Sequence, residues 1–132
     1  MKFTTIVMAG LLSIVTLHAA ETTETVTLSG TTVKLTGNMI SVGDDAPLVK
    51  LVDSDLKDVT VGGKTEKTQV LVVVPSIDTP VCNIEAGKFN EKAAAMPNVE
   101  MTVISMDLPF ASQRYCAAHG IKNIRFSRII SK

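Results

Sequence analysis

The chain has 132 residues with thirteen acidic and thirteen basic side chains, so it has the length of one domain and no net charge. No basic run supplies a patch for nucleic acid, and four Phe, one Tyr and no Trp leave little with which to build a binding face on aromatic anchors. Apolar residues make up 45% of the chain, the composition of an ordinary globular protein.

The first twenty residues, "MKFTTIVMAGLLSIVTLHAA", stand apart from the rest. Lys2 gives a positive start, Phe3 to Leu17 is mostly apolar, and Ala19-Ala20 supplies small residues before the polar "ETTET". That order is the order of a secretory signal peptide. The apolar stretch falls short of the roughly twenty residues that span a bilayer, so a permanent anchor fits less well. No Cys follows it to carry a lipid, and His18 is a poor match to the small residue wanted three positions before a cut after Ala20. The expectation is a signal peptide over residues 1–20 and an exported, periplasmic domain over 21–132 with no membrane contact after cleavage. Export also changes how the two cysteines, Cys82 and Cys116, read. In an oxidising compartment a pair of cysteines most simply forms one structural disulfide.

Beyond residue 20, "TVTLSGTTVKL" alternates Val26, Leu28, Val33 and Leu35 with polar residues around Ser29-Gly30, which predicts a β-hairpin with one buried face. "SVGDDAPLVKLVD" has a turn at Gly43-Asp44-Asp45 and then extended chain through Pro47, and "DVTVGG" predicts a short strand closed by glycines. The β-branched run "TQVLVVV" (Thr68–Val74) predicts a central strand covered on both faces. A helix follows, with Ala86, Phe89, Ala93 and Met96 on one face, Glu85, Lys88, Glu91 and Lys92 on the other, and Pro97-Asn98 as its end. "VEMTVIS" (Val99–Ser105) predicts a second buried strand. A second helix then takes Asp107 as N-cap, Pro109 in its first turn and Gly120 as its stop. Strand–helix–strand–helix order calls for an α/β fold with a parallel sheet and right-handed crossovers. In such sheets sites form outside the carboxyl ends of the strands, and Cys82 lies just past such an end, at Val74.

The stretch "PSIDTPVC" (Pro75–Cys82) delivers that cysteine. Thr79 is placed to cap the helix and Pro80 suits its first position, which puts Cys82 in the first turn. There the free N–H groups and the positive end of the helix dipole favour a thiolate, the nucleophilic and oxidisable form. Thr79, three residues earlier, is close enough for its hydroxyl to face the sulfur, and Asp78 is expected to point away. Against this stands the reading of Cys82 as a small apolar filler or half of an inert disulfide, and spacing does not decide between them.

Pro75-x-x-x-Thr79-x-x-Cys82 resembles the active-site signature of the peroxiredoxins, and "VPSIDTPVC" is similar to the "FPSIDTxVC" of their thiol peroxidase branch, the atypical two-cysteine peroxiredoxins. "VGDDAP" (Val42–Pro47) resembles the family's Gly-x-x-Ala-Pro, and "SMDLPFASQRYC" (Ser105–Cys116) the branch's "SADLPFAxxRFC". The resemblance covers about residues 24 to 126. It implies a thioredoxin-like fold with an N-terminal hairpin, and a peroxidase acting on hydrogen peroxide and organic hydroperoxides without a cofactor or metal. By the same resemblance Cys82 is the peroxidatic cysteine and Cys116 the resolving one, joined in an intramolecular disulfide that thioredoxin or a similar dithiol reduces. Thr79 and Pro75 would form the shell around the attacking sulfur, and Arg114 matches the branch's arginine two before the resolving cysteine. Family members often dimerise; this sequence neither supports nor opposes that.

The chain departs from the pattern at its end. The family's active-site arginine falls on a later strand, beyond Lys132, and neither Arg125 nor Arg128 aligns with it. The expectation is a thiol peroxidase truncated at its C-terminus, lacking strands and a closing helix, and impaired in activity. Three rivals remain: a non-enzymatic exported protein with a structural Cys82–Cys116 disulfide, a disulfide oxidoreductase without the usual C-x-x-C, and a metal site of Cys82, Cys116 and His119 lacking a fourth ligand.

Overall fold

The computed structural model describes residues 22–130, so the expected signal peptide, residues 1–20, lies outside the described residues. The chain divides into two compact units, Met1–Ser41 and Val42–Lys132.

In the first unit β1 (Thr22–Leu28) and β2 (Thr31–Gly37) pair antiparallel, with Val26 opposite Val33. The connection is Ser29-Gly30, with φ of 49° and 82°. Two consecutive positive φ values make a type I′ turn, whose twist matches that of the strands. The hairpin is where the sequence places it, but the expected buried face is not formed: Val26, Leu28, Val33 and Leu35 are all exposed. A two-stranded ribbon has no second layer of its own in which to bury side chains.

The second unit contains β3 (Val49–Asp53), β4 (Asp58–Val61), β5 (Thr68–Val73), α1 (Pro80–Ala93), β6 (Val99–Ser105), α2 (Pro109–His119) and β7 (Arg125–Ile129). They form one sheet in the order β4-β3-β7-β6-β5. β5, β6 and β7 run parallel, and β3 runs antiparallel to both β4 and β7, so the sheet is mixed rather than parallel throughout. The strand–helix–strand–helix order stands. The place of β5 does not: it is an edge strand, with Leu71 and Val73 turned outward and exposed. A β-branched run reports that a segment suits a pleated surface, not how many neighbours cover it. The centre belongs to β7, whose Phe126 is 2% exposed and which the sequence reading left unassigned.

Both helices pack on one core made of Val74, Ile77, Ala86, Val103, Tyr115, Ile121 and Phe126, and Cys82 and Cys116 lie against it. Val103 and Phe126 sit side by side in register at its floor. A smaller cluster of Leu51, Val61 and Ile104, flanked by Val59 and Ile129, joins the hairpin β3–β4 to the rest of the sheet. The extended segment before β3 is strapped down at Gly62, whose φ is 84° and where an added Cβ would stand 1.9 Å from the Pro47 carbonyl oxygen. Only glycine fits that approach. Gln69 of β5 brackets the same residue, accepting from its N–H at 3.0 Å and donating to its carbonyl at 3.1 Å.

Helix α1 ends at Ala93 rather than at Pro97. Pro97 disfavours helical backbone at Met96, and the chain closes instead with tight bonds from Ala95 N–H to the Lys92 carbonyl and from Met96 N–H to the Ala93 carbonyl.

Candidate active site

β5 gives up its last sheet bond where Val74 N–H donates to the Ile104 carbonyl at 2.9 Å. Pro75, exposed and without an N–H, takes the chain off the sheet edge. Ile77 then plunges into the core, 1% exposed. Thr79 occupies the N-cap position with extended backbone (φ −82°, ψ 138°), and Pro80 opens α1. Extended geometry at Thr79 is what a following proline demands. Cys82 thereby falls in the first turn of α1, half-buried, as a free thiol, and the neighbouring Val81 and Ile84 are exposed apolar side chains.

The expected cap by Thr79 needs correcting. Its side chain makes no capping bond to α1; the hydroxyl donates backward to the Ser76 carbonyl at 2.9 Å. A hydroxyl has one proton, so none remains for the Cys82 sulfur, while its oxygen keeps lone pairs free to accept. Asp78 is exposed, as expected, with its N–H given to Ser76 Oγ at 3.1 Å.

Asp107 also differs from expectation. The N-cap of α2 is Leu108, again without a side-chain cap. The Asp107 carboxylate instead reaches across to the loop before Cys82, accepting from Ser76 Oγ at 2.7 Å and from Ile77 N–H at 2.8 Å. Its own N–H donates to Ser105 Oγ at 3.2 Å. Burial alone raises its pKa, but the Ile77 N–H and the Ser76 and Ser105 side chains together outweigh it and hold the carboxyl below its ordinary value. Two long-range bonds to one carboxylate win over a cap that water can replace.

Cys116 lies in the second half of α2, half-buried and also a free thiol. Its carbonyl accepts from the N–H of Gly120, the left-handed residue that stops the helix, and from Ile121 N–H at 3.0 Å. Burial pushes the Cys116 thiol up, against a smaller opposite pull from its own backbone. It opens on a cleft of about 590 Å³ shared with Glu100, Lys122, Asn123 and Arg125. Cys82 is not part of that cleft.

Tyr115, which the sequence reading passed over, joins the two cysteine-bearing helices. Its hydroxyl donates to the Asn83 carbonyl in α1 at 2.7 Å, and its ring meets Phe126 and stacks on His119. Burial, then the neighbouring Cys116 charge, raises its phenol pKa. His119 Nδ1 lies 3.0 Å from the Tyr115 carbonyl, within its own helix. Arg114 is an exposed helix charge. Arg125 pairs with Glu100 at 2.6 Å, and Arg128 Nε donates to the Met106 carbonyl at 3.4 Å. A polar Ser76 in an apolar approach and a Tyr one residue before a cysteine were the available signals for these cross-links; their partners were not.

The sequence pattern of the Redoxin family matches residues 41–127. A thiol peroxidase of Aquifex aeolicus is 49% identical over 100 residues, which cover 76% of this chain and 59% of the relative. A thiol peroxidase of Campylobacter jejuni is 48% identical over 99 residues, covering 75% of this chain and 56% of the relative. The chain thus spans under two thirds of the length of these relatives. The crystal structure of a peroxiredoxin-like protein from Aquifex aeolicus superposes with a TM-score of 0.74 at 47% identity, over 79% of this chain and 61% of that one. A thiol peroxidase from Chromobacterium violaceum, at 21% identity and a TM-score of 0.64, shares the fold. The α/β architecture is thioredoxin-like, as the sequence led us to expect. By its matching pattern and its similarity to thiol peroxidases over most of its length, the chain belongs to the Redoxin family.

Proposed function

We propose that this chain is a thiol-dependent peroxidase whose two cysteines divide the work. The observation that carries the reading is the placement of Cys82 in the first turn of α1, at the carboxyl rim of β5, while the segment bearing Cys116 bonds to both sides of it. The Cys82 thiolate attacks one oxygen of a hydroperoxide, the O–O bond breaks, and the other oxygen leaves as an alcohol or water. Cys82 is left as a sulfenic acid. The Cys116 sulfur then attacks it, water departs, and a Cys82–Cys116 disulfide forms. A thioredoxin-like dithiol restores both thiols and is itself oxidised to a disulfide. The cleft beside Cys116 gives that reductant an approach. Thr79, with its proton committed to Ser76, offers an oxygen that orients the peroxide O–H. Val81 and Ile84 beside Cys82 suit the alkyl part of an organic hydroperoxide. Pro75, exposed where the chain leaves β5, is the shell residue that the family resemblance implies. Export to the periplasm is part of the proposal and rests on the sequence of residues 1–20.

The test is intact mass of the reduced, signal-free chain after one equivalent of hydrogen peroxide, with and without a sulfenic-acid trap. Rapid loss of two hydrogens in the unmodified chain, and a trapped adduct at Cys82 in the Cys116→Ser variant, are expected. Reaction no faster than that of a free thiol would sink the proposal and favour a structural disulfide without catalysis.

A further inference from the structure

Closing a Cys82–Cys116 bond brings the two sulfurs to about 2.05 Å. Both are free thiols here, on separate helices, so closure moves the two sulfurs toward each other. The structure shows what resists that shift. Asp107 and Tyr115 both belong to the segment carrying Cys116, and both grip the segment carrying Cys82. Asp107 takes Ser76 Oγ at 2.7 Å and Ile77 N–H at 2.8 Å on the strand side of Cys82. Tyr115 donates to the Asn83 carbonyl at 2.7 Å on the helix side. Cys82 is bracketed between the two points.

The rest of the loop hangs on the first point. Ser76 Oγ, pinned by Asp107, accepts from Asp78 N–H, and the Ser76 carbonyl accepts from both the hydroxyl and the N–H of Thr79. The order runs Asp107, Ser76, Thr79, then Cys82 three residues on. Ser105, 2% exposed, anchors Asp107 from β6 by accepting its N–H.

We propose that Asp107 and Tyr115 are positioning residues that form a two-point latch across the cysteine pair, and that the latch sets how long the Cys82 sulfenic acid waits before Cys116 reaches it. This rests on the two-cysteine reading above. Neither residue touches peroxide. Each holds the closed arrangement and must let go before the sulfurs meet. A bond made only in the closed form lowers the population of the open form by the worth of that bond. The condensation rate is therefore reduced in proportion, while attack on peroxide, which uses the closed form, is not helped by release. The balance between the two steps is the property the latch governs.

Tyr115→Phe removes one oxygen and keeps the ring against Phe126. The ratio of disulfide closure to Cys82 oxidation should rise about two- to tenfold, the factor for one neutral hydrogen bond. Asp107→Asn weakens two bonds to a charged acceptor, so its ratio should rise by about tenfold or more. Both rates are read by quenched mass spectrometry on the full chain. Amide exchange at Ile77 should speed up in Asp107→Asn and stay unchanged in Tyr115→Phe. An unchanged or lower ratio in a folded Tyr115→Phe chain overturns the latch, as does a parallel fall in both rates, which is what general loosening would give. Closure driven by diamide, which oxidises a dithiol without peroxide, separates the two readings. If peroxide fails to oxidise Cys82 but diamide closure still speeds up in the variants, the peroxidase is lost and the latch stands. If peroxide oxidises Cys82 normally and neither route of closure responds to the variants, the latch alone is lost.

Discussion

Cys82 and Cys116 look alike in coarse terms: each is half-buried, helical and in contact with the same core. Their positions along the helix separate them. Cys82 is met by the beginning of α1, where backbone N–H groups have no partners inside the helix. Cys116 is met by the end of α2, where its own carbonyl is taken by the closing turn and burial pushes its thiol pKa up. In the proposed mechanism one residue type thus serves as attacker or as receiver according to which end of a helix it occupies. The loop before Cys82 is also held by bonds from across the fold, whereas Cys116 is held chiefly by bonds within its own helix.

The sharpest break of this comparison is removal of each sulfur. Cys82→Ser should lower the rate of peroxide reduction by more than about a thousandfold, as loss of a nucleophile does. Cys116→Ser should retain the first oxidation and lose turnover with a dithiol. Equal losses of the first step would erase the division of labour.

A large effect on stability is expected from the shared core. Phe126→Ala should cost about 3–5 kcal/mol in urea unfolding, and should speed alkylation of Cys116 more than of Cys82, because Phe126 supports the Tyr115 ring beside it. Equal acceleration would place both thiols on one footing.

Acidity gives a finer test. Labelling of Cys116 by iodoacetamide should rise with pH at a midpoint above the roughly 8.5 of a free thiol, and urea should bring it down to that value. The sign follows from burial: a pKa raised by folding contributes stability that is intact below the unfolded value and lost as pH rises through the folded one. Asp107 runs the other way. Its lowered pKa contributes stability above about 3.9, lost as pH falls through the folded value. Ile77 amide exchange in the intact chain should therefore begin to speed up only below that range.

The smallest effect belongs to the sheet edge. Val73→Thr alters an exposed position of β5 and should change stability by no more than about 0.5 kcal/mol. A cost like that of Phe126→Ala would mean the outward face of β5 is covered.

The sequence made the local features legible and the pairings illegible. Pro80 after Thr79, Gly120 after His119 and Ser29-Gly30 between alternating runs each specify backbone geometry through steric rules acting within a few residues, and the elements they bound are where they were read. β7 escaped because "RFSRI" is short, carries two arginines and has no turn signal of its own; its central place comes from pairing with β3 and β6. β5 was misplaced for the converse reason, strong composition with no statement about neighbours. At the candidate site spacing and resemblance singled out the cysteines, Thr79 and Pro75, and the place of Cys82 in the first turn of α1 was legible from Pro80. The hydroxyl direction of Thr79 and the reach of Asp107 were not, since each was decided by a partner, three residues back in one case and some thirty residues away in the other.

The central position of β7 also has a consequence in time. Both of its neighbours, β3 and β6, precede it in the chain, so during synthesis they exist with bare edges until β7 follows. At ribosomal speed the roughly twenty residues from the end of β6 to β7 take about 1–4 s, far longer than the microseconds in which a hairpin such as β3–β4 forms. For that interval a formed β3–β4 hairpin has the β3 edge bare until β7 arrives, and a chaperone that shields strand edges would have its clearest task there.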